Sequence, residues 1–246
     1  MKGFGPSTFG ELNAEDYDRL HDPGTTDAAV DLIADLAGAG DVLELAIGTG
    51  RVALPLAARG INMTGFDASP DMLAKLKEKP GGADIPAHVA DMAAFDLGQR
   101  FDFAFLIFNT LYNLTTQAEQ VSCFQCVGDH LKPGGQFLVE AFMPDREVFV
   151  NNQAVRTRHV SFNTAWIEAV QHDPVTQQIN FQRIGFTPDG IKMVPLPMRY
   201  VWPSELDLMA QLAGLTLQHR WGGWHREPFG AGSDMHVSVY VKPDEA

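Results

Sequence analysis

Short apolar runs alternate with segments of helical periodicity through the first 142 residues of the chain. Runs of four to eight apolar residues bounded by turn residues are typical of buried strands, whereas apolar residues spaced three and four apart indicate helices. The predicted strands are residues 42–46, 61–66, 87–90, 101–108 and 136–142. The predicted helices between them are residues 51–60, 69–80 and 117–131. This alternation predicts an α/β fold with a doubly wound, mostly parallel, Rossmann-like sheet.

Two helices are predicted before the first strand. Residues 17–20 are followed by Asp22-Pro23-Gly24, which indicates a short helix that ends in a turn, with a disordered tail as the alternative. A second helix is expected to begin at Thr25 or Thr26 and to end at Gly38.

The pattern changes after Met143. Apolar and polar residues alternate from 154 to 201, with turn signals at 172–174 and 188–190, which predicts three or four antiparallel strands. A helix over 203–212 and strands over 215–221 and 235–241 follow. We therefore divide the chain into an N-terminal core (1–143), an antiparallel β insertion (144–202) and a C-terminal part (203–246) that completes the core sheet.

Composition and charge narrow the range of functions. The chain has 246 residues and a formal net charge of −13, which argues against nucleic acid as a partner because nucleic-acid binding needs a basic surface. No apolar run approaches the ~20 residues that span a bilayer, and the N-terminus lacks the pattern of a signal peptide. We therefore expect a cytoplasmic protein with a small-molecule substrate and no membrane partner.

The two cysteines, Cys123 and Cys126, are spaced as C-x-x-C. A redox pair, or two metal ligands joined by His130, are the reactive interpretations. A closed zinc site needs four ligands, and a thioredoxin-type pair lies at a helix start, so we favour two structural residues within a helix and predict no metal.

Polar residues lie at the carboxyl ends of four of the predicted strands, namely Glu44, Asp67, Asp91 and Asn109. In doubly wound sheets the ligand binds outside the carboxyl ends of the strands, so these side chains are candidates for one site. The turn after the first strand carries Gly48 and Gly50, which suit close approach of a ligand to the backbone.

A dinucleotide is one candidate ligand for this turn. Gly48-x-Gly50-x-x-Ala53 satisfies the G-x-G-x-x-G/A fingerprint, and Asp67 follows Gly48 by 19 residues. However, the carboxylate of Glu44 is a poor neighbour for a pyrophosphate and a good acceptor for a cationic ligand. Asp91 also has no role in that fingerprint.

The chain resembles the class I S-adenosylmethionine-dependent methyltransferases over nearly its whole length. The motifs that carry the resemblance are residues 43–50 (LELAIGTG), 65–69 (GFDAS), 90–92 (ADM), 101–103 (FDF) and 131–137 (LKPGGQF). In this family the acid is followed by three small residues at alternate positions, and Ala46 at the first of these is a mild departure. The resemblance implies a sheet whose last strand is antiparallel, and S-adenosylmethionine as the cofactor, with S-adenosylhomocysteine as the product.

The resemblance also assigns roles to the residues at the strand ends. Glu44 would help to fix the ammonium group of the cofactor, and Gly48 and Gly50 would let its methionine part approach the turn. Asp67 would accept hydrogen bonds from both ribose hydroxyls, and Asp91 would accept one from the adenine amino group. The other residues expected to contact the cofactor are Ala46, Ala68, Met92 and Asn109.

The acceptor site is less defined. Methyl transfer from a sulfonium depends mainly on positioning, and a general base is needed for a hydroxyl acceptor but not for a neutral amine. Tyr17, Asn109, Tyr112 and His225 are the candidate catalytic residues, although a surface position is the favoured interpretation for His225. Tyr17 matches the N-terminal helix that closes over the cofactor in similar enzymes such as amino-sugar N-methyltransferases. Further acceptor-site candidates are Asn113, Trp221 and Trp224.

The sequence therefore predicts a methyltransferase that acts on an N or O atom of a small, natural-product-like acceptor. The inserted sheet and the N-terminal helix are expected to roof the acceptor pocket, and the inserted sheet is also a candidate surface for a homodimer. The alternatives are an NAD(P)-dependent oxidoreductase and a non-catalytic S-adenosylmethionine-binding protein.

Overall fold

The computed structural model describes residues 3–21, 23–144 and 151–244. The helices in these ranges are α1 (Thr8–Asn13), α2 (Tyr17–Leu20), α3 (Thr26–Ala37), α4 (Ala53–Ala58), α5 (Pro70–Glu78), α6 (Gln117–His130) and α7 (Pro203–Leu212). The strands are β1 (Asp41–Leu45), β2 (Asn62–Asp67), β3 (Ala87–Val89), β4 (Phe101–Leu106), β5 (Leu131–Phe142), β6 (Gln153–Val160), β7 (Ala165–Asp173), β8 (Gln178–Thr187), β9 (Gly190–Arg199), β10 (Thr216–Trp221) and β11 (Met235–Val241).

Seven strands form the larger sheet, in the order β10-β11-β5-β4-β1-β2-β3. β11 is antiparallel to both of its neighbours, and β1 to β5 pair in parallel. The predicted doubly wound sheet with an antiparallel last strand is therefore confirmed. The strand order reverses between β1 and β4, and such a reversal opens a ligand crevice at the carboxyl ends of the strands.

Alternating residues of β1 show how the sheet is covered on both faces. Leu43 and Leu45 belong to the apolar cluster that includes Val127 of α6. Val42 belongs to the opposite cluster, with Ile33 of α3. A strand covered on both faces explains why β1 and β4 are nearly continuous apolar runs in the sequence.

The smaller sheet is an antiparallel meander in the order β6-β7-β8-β9. Several contacts attach it to the core. Among them, the Gln178 side chain donates to the Thr115 carbonyl at 3.2 Å, and the Arg199 guanidinium donates to Gln120 Oε1 at 2.5 Å. Arg199 is buried and also pairs with Glu205 at 2.6 Å. Removing one partner of such a buried pair would leave an uncompensated charge, so this network resists separation of the two sheets.

The helix α1 is not predicted by the sequence. Gly10 lies in the middle of its six residues, and glycine disfavours a helix interior. The structure supplies the reason for the glycine, since a Cβ at this position would lie 2.3 Å from Ser69 Oγ. Packing of α1 on α5 therefore overrides local propensity.

Some boundaries also differ from prediction, most clearly the starts of α4 and β5. α4 begins at Ala53 rather than at residue 51 because residues 48–52 belong to the turn. β5 begins at Leu131 rather than at residue 136, and its pairing with β4 shifts register between Phe101 and Phe103.

The two cysteines lie on α6, as predicted, and both are free thiols. Burial raises the pKa of Cys123, which keeps its thiol protonated. Cys126 Sγ lies 3.8 Å from the Ala93 carbonyl as a donor. None of the helices in the described part of the chain is long and apolar enough to cross a membrane.

Candidate active site

A cavity of about 540 Å³ lies at the carboxyl ends of the core strands. Ala46, Asp67 and Asn109 border it from the core sheet, Tyr17 from α2, and Phe181 from β8 of the smaller sheet. The N-terminal helices and the inserted sheet thus both contribute walls to the cavity.

The two glycines of the turn after β1 have different environments. Gly48 has a φ of +55° and lines the cavity, and a Cβ added to it would have only the Ala46 carbonyl within 4 Å, at 3.9 Å. Gly50 has a φ of +80°, and its Cβ would lie 2.3 Å from Leu76 Cδ1. Gly50 does not line the cavity. Of the two glycines expected beside the cofactor, Gly48 lines the cavity, whereas Gly50 packs against Leu76 outside it.

Ala46 has a strained backbone. Its φ is +53°, in the left-handed region that costs an L-residue about 1–2 kcal/mol. We expect Ala46→Gly to raise the free energy of unfolding by about 0.5–1 kcal/mol, because relief of this strain exceeds the added flexibility of the unfolded chain. Urea denaturation measures the change.

Ala58→Gly is a suitable control for this prediction. Ala58 is the last residue of α4 and is exposed, so the same substitution should lower stability there. Equal losses in the free energy of unfolding for the two variants would show that Ala46 is not strained.

Asp67 connects the glycine turn to the start of α5. Its Oδ2 accepts a hydrogen bond from the Gly48 N–H at 2.9 Å, and its Oδ1 accepts one from the Ser69 N–H at 2.8 Å. Burial raises the pKa of Asp67, and these two hydrogen bonds oppose the increase. The α5 N-cap is Ser69, whose Oγ accepts from the Met72 N–H at 3.3 Å. Each Asp67 oxygen retains a lone pair that can accept a ribose hydroxyl.

Three further residues that were predicted to contact the cofactor lie in the cavity wall. Ala68, Asp91 and Met92 line the cavity. Asp91 Oδ1 accepts a hydrogen bond from the Ala93 N–H at 2.9 Å, which closes a local turn. The turn positions the carboxylate and leaves its second oxygen available for an amino group.

A smaller cavity of about 30 Å³ adjoins the main one and is lined by Glu44 and Arg51. Glu44 is 4% exposed, and its Oε2 has no hydrogen-bond partner in the described residues. Arg51 Nε likewise has no partner among them, whereas its Nη1 donates to Thr26 Oγ1 at 3.0 Å. Buried polar atoms are normally paired, and an amino-acid zwitterion would satisfy both: its ammonium at Glu44 and its carboxylate at Arg51. The residues present therefore fit the methionine part of the predicted cofactor.

We expect cofactor binding to depend on pH through Glu44. Burial raises its pKa well above the ordinary value, and the Arg51 charge opposes this shift. Below this raised pKa a bound ammonium must first displace the proton, so affinity for S-adenosylhomocysteine should rise with pH through that range. We expect Glu44→Gln to weaken binding and to remove its pH dependence, as measured by calorimetric titration.

The raised pKa of Glu44 has the opposite pH effect on the stability of the unliganded protein, which falls as pH rises. A carboxyl group whose pKa is raised by folding contributes stability below its unfolded pKa, and this stability is lost as pH rises toward the folded pKa. Glu44→Gln should therefore stabilise the unliganded protein at pH 8 while it weakens binding. A variant that loses stability at pH 8 and binds as tightly as the parent would contradict the role of Glu44.

Three aromatic side chains close the N-terminal side of the cavity. Tyr17 stacks on His21 with ring centroids 4.8 Å apart, and Phe9 meets Tyr17 edge-on at 6.2 Å. Burial raises the pKa of Tyr17, and Arg51 opposes the shift. Tyr17 therefore remains protonated and borders both cavities.

The loop after β4 supplies two amide side chains to the cavity. Asn109 has a φ of +60°, and its Oδ1 accepts from the Phe142 N–H at 2.6 Å. Asn113 also lines the cavity, and its Oδ1 is buried with no hydrogen-bond partner in the described residues. Asn113 is therefore the better placed of the two to accept a hydrogen bond from a ligand.

Several candidates from the sequence lie outside the cavity. Tyr112 is fully buried, and its hydroxyl lies 2.9 Å from the Phe142 carbonyl and 3.2 Å from that of Val201, so it packs the inserted sheet onto the core. His225 is exposed on a loop. Neither Tyr112 nor His225 lines the cavity, and the same holds for Trp221 and Trp224. We therefore assign these four side chains no catalytic role.

Other residues of the site were not identified from the sequence. They are Arg51, His21, Arg156, Arg158, Glu168 and Arg183. Arg51 directly follows Gly50, so its position beside the glycines could have identified it from the sequence. His21 directly follows α2, and the other four reach the cavity through the pairing of β6, β7 and β8, which the sequence does not specify.

Comparisons with known proteins agree with this geometry. A family model described as "methyltransferase domain" matches residues 42–135. The CcbJ methyltransferase from Streptomyces caelestis is 36% identical, with a TM-score of 0.91 over 98% of this chain and 100% of that chain. CalS10, an amino pentose methyltransferase from Micromonospora echinaspora whose structure contains S-adenosylmethionine, shares the fold at 21% identity. Its TM-score is 0.69, over 98% of this chain and 99% of that chain.

A curated relative from Streptomyces fradiae, dTDP-3-amino-3,6-dideoxy-alpha-D-glucopyranose N,N-dimethyltransferase, is 33% identical over 138 residues, 53% of each chain. The chain spans about half the length of the curated relatives it matches. The NAD(P) alternative is excluded because the full-length relative and the family model are methyltransferases. The 36% identity over the whole length of CcbJ shows that this chain belongs to the S-adenosylmethionine-dependent methyltransferases.

Proposed function

We propose that this protein transfers a methyl group from S-adenosylmethionine to an amine nitrogen of a small polar acceptor of the amino-sugar type. The observation that carries the polar acceptor is Asn113, which lines the cavity and whose Oδ1 is buried with no hydrogen-bond partner among the described residues. An acceptor amine can donate an N–H to this oxygen and still direct its nitrogen lone pair at the methyl group. The S. fradiae relative, named for N-methylation of an amino sugar, supports the same acceptor class.

The chain's own residues would bind the cofactor, orient the acceptor and exclude water from the site. The cofactor supplies an electrophilic methyl group on a sulfonium. Glu44 and Arg51 would hold its amino-acid part, and Asp67 its ribose. Asn113 would orient the acceptor amine, and the Phe9, Tyr17 and His21 rings would shield the reacting groups from water. Positioning of this kind supplies much of the rate enhancement for a displacement.

His21 lines the cavity but is not free to act as a base. Its Nε2 accepts a hydrogen bond from Arg183 Nη1 at 3.0 Å, so the lone pair is used. Burial and Arg183 also lower the pKa of His21. A hydroxyl acceptor needs a base, whereas a neutral amine attacks with its own lone pair and releases its proton after transfer. This difference supports nitrogen over oxygen.

A matched acceptor pair tests the proposal. The protein is incubated with S-adenosylmethionine and either 3-amino-3-deoxyglucose or glucose, and S-adenosylhomocysteine is quantified by chromatography. We expect turnover with the amino sugar alone, and a lower rate for Asn113→Ala. Methylation of the hydroxyl sugar would contradict the amine assignment. Binding of S-adenosylhomocysteine without turnover on a broad amine panel would favour a non-catalytic cofactor-binding protein.

A further inference from the structure

Three guanidinium groups surround one carboxylate where the inserted sheet borders the cavity. Arg156, Arg158, Glu168 and Arg183 all line it. We infer that this end of the cavity binds an anionic group of the acceptor, a phosphate or a carboxylate, at a distance from the nitrogen that is methylated. The inference rests on the proposed function, because it assigns a chemical class to the same acceptor.

Strand register places these residues together. Glu168 of β7 pairs directly with Arg156 of β6 on one side and with Arg183 of β8 on the other. Residues directly opposite in adjacent strands project from the same face of a sheet. Arg158 lies at the irregularity between Thr157 and His159, and it also lines the cavity. Arginine presents a planar set of donors that suits phosphate and carboxylate oxygens.

The local charges do not balance. Glu168 is 4% exposed and pairs with Arg183 at 3.4 Å and with Arg158 at 3.8 Å. One carboxylate therefore faces three guanidinium groups. His21, which also contacts Arg183, has its pKa lowered by burial and by the Arg183 charge, and an imidazole cannot supply the missing negative charge. An excess of positive charge on a cavity wall attracts an anion, and this excess occurs in a chain whose net charge is −13.

Away from the arginines, acidic and apolar side chains line the cavity. Asp67 and Asp91 lie at the cofactor end. Along β8, Ile179 and Phe181 line the cavity before Arg183, at alternate positions on the same face. An acceptor that spans this surface would place its amine near the core, an apolar or ring portion against Phe181, and its anionic group at the arginines.

Anion binding by the protein saturated with S-adenosylhomocysteine tests the inference. Pyrophosphate, inorganic phosphate and malonate are titrated separately by calorimetry at low ionic strength, so that phosphate and carboxylate chemistry are distinguished. We expect at least one of them to bind, and Arg183→Gln and Arg156→Gln each to weaken that binding by about tenfold. Lys192→Gln, which removes a cation from β9 outside the cavity lining, should bind as the parent does.

The outcomes separate the two proposals. If S-adenosylhomocysteine fails to bind, the proposed function itself is wrong. If it binds and none of the three anions does, or if both arginine variants bind the anion as tightly as the parent, the anionic-acceptor inference is overturned. Arg156 is exposed on β6, so Arg156→Gln keeps the test valid even if Arg183→Gln does not fold.

Discussion

Asp67→Asn is expected to weaken binding of S-adenosylhomocysteine by about 100-fold or more. The Asp67 carboxylate has a free lone pair on each oxygen beside the cavity, and hydrogen bonds to a charged group contribute about 1.5–3 kcal/mol each. Asparagine keeps one oxygen but replaces the other by an NH₂ donor. It therefore cannot accept both ribose hydroxyls while it also holds the Gly48 and Ser69 N–H groups. Calorimetric titration measures the loss.

Asp96→Asn is the matched control. Asp96 is an exposed loop residue whose Oδ1 accepts from the Gly98 N–H at 2.9 Å, and it does not line the cavity. The substitution removes the same charge from a similar turn and should leave affinity unchanged. If Asp67→Asn binds as tightly as the Asp96 variant and melts normally, the cofactor assignment of Asp67 is wrong.

Gly50→Ala is expected to lower the free energy of unfolding by about 3 kcal/mol. At a φ of +80° an alanine is strained, and its Cβ would lie 2.3 Å from Leu76 Cδ1 and 3.1 Å from Leu54 Cγ. Leu76 is fully buried, so its side chain has little room to move away. Chemical denaturation measures this loss.

Gly48→Ala provides the comparison for this prediction. Gly48 also has a positive φ, but a Cβ there meets no atom closer than 3.9 Å and borders the cavity. We expect a smaller loss of stability, about 1 kcal/mol, together with weaker cofactor binding because the added methyl group occupies ligand space. Equal stability losses for the two variants would contradict the separate roles that we assign to these glycines.

Elements with strong local signals were predicted well. The helix α5 follows from Ser69 as N-cap and Pro70 at the first helical position, and the structure contains that cap. The helix α7 begins and ends at the predicted residues. In contrast, α1 has no local signal, because its formation depends on contact between Gly10 and α5. Residues 145–150, within the predicted insertion, lie outside the described residues.

The sequence by itself determined the α/β architecture, the polar residues at the strand ends and the family. Strand periodicity, glycine turns and helix caps are local properties, and parallel topology brings Glu44, Asp67, Asp91 and Asn109 to one edge. Only the tertiary structure decided which residues complete the site. Strand register faces Arg156 and Arg183 with Glu168, and packing buries Tyr112 away from the cavity. Register and packing depend on contacts between residues far apart in the chain, and periodicity along one sequence does not encode them.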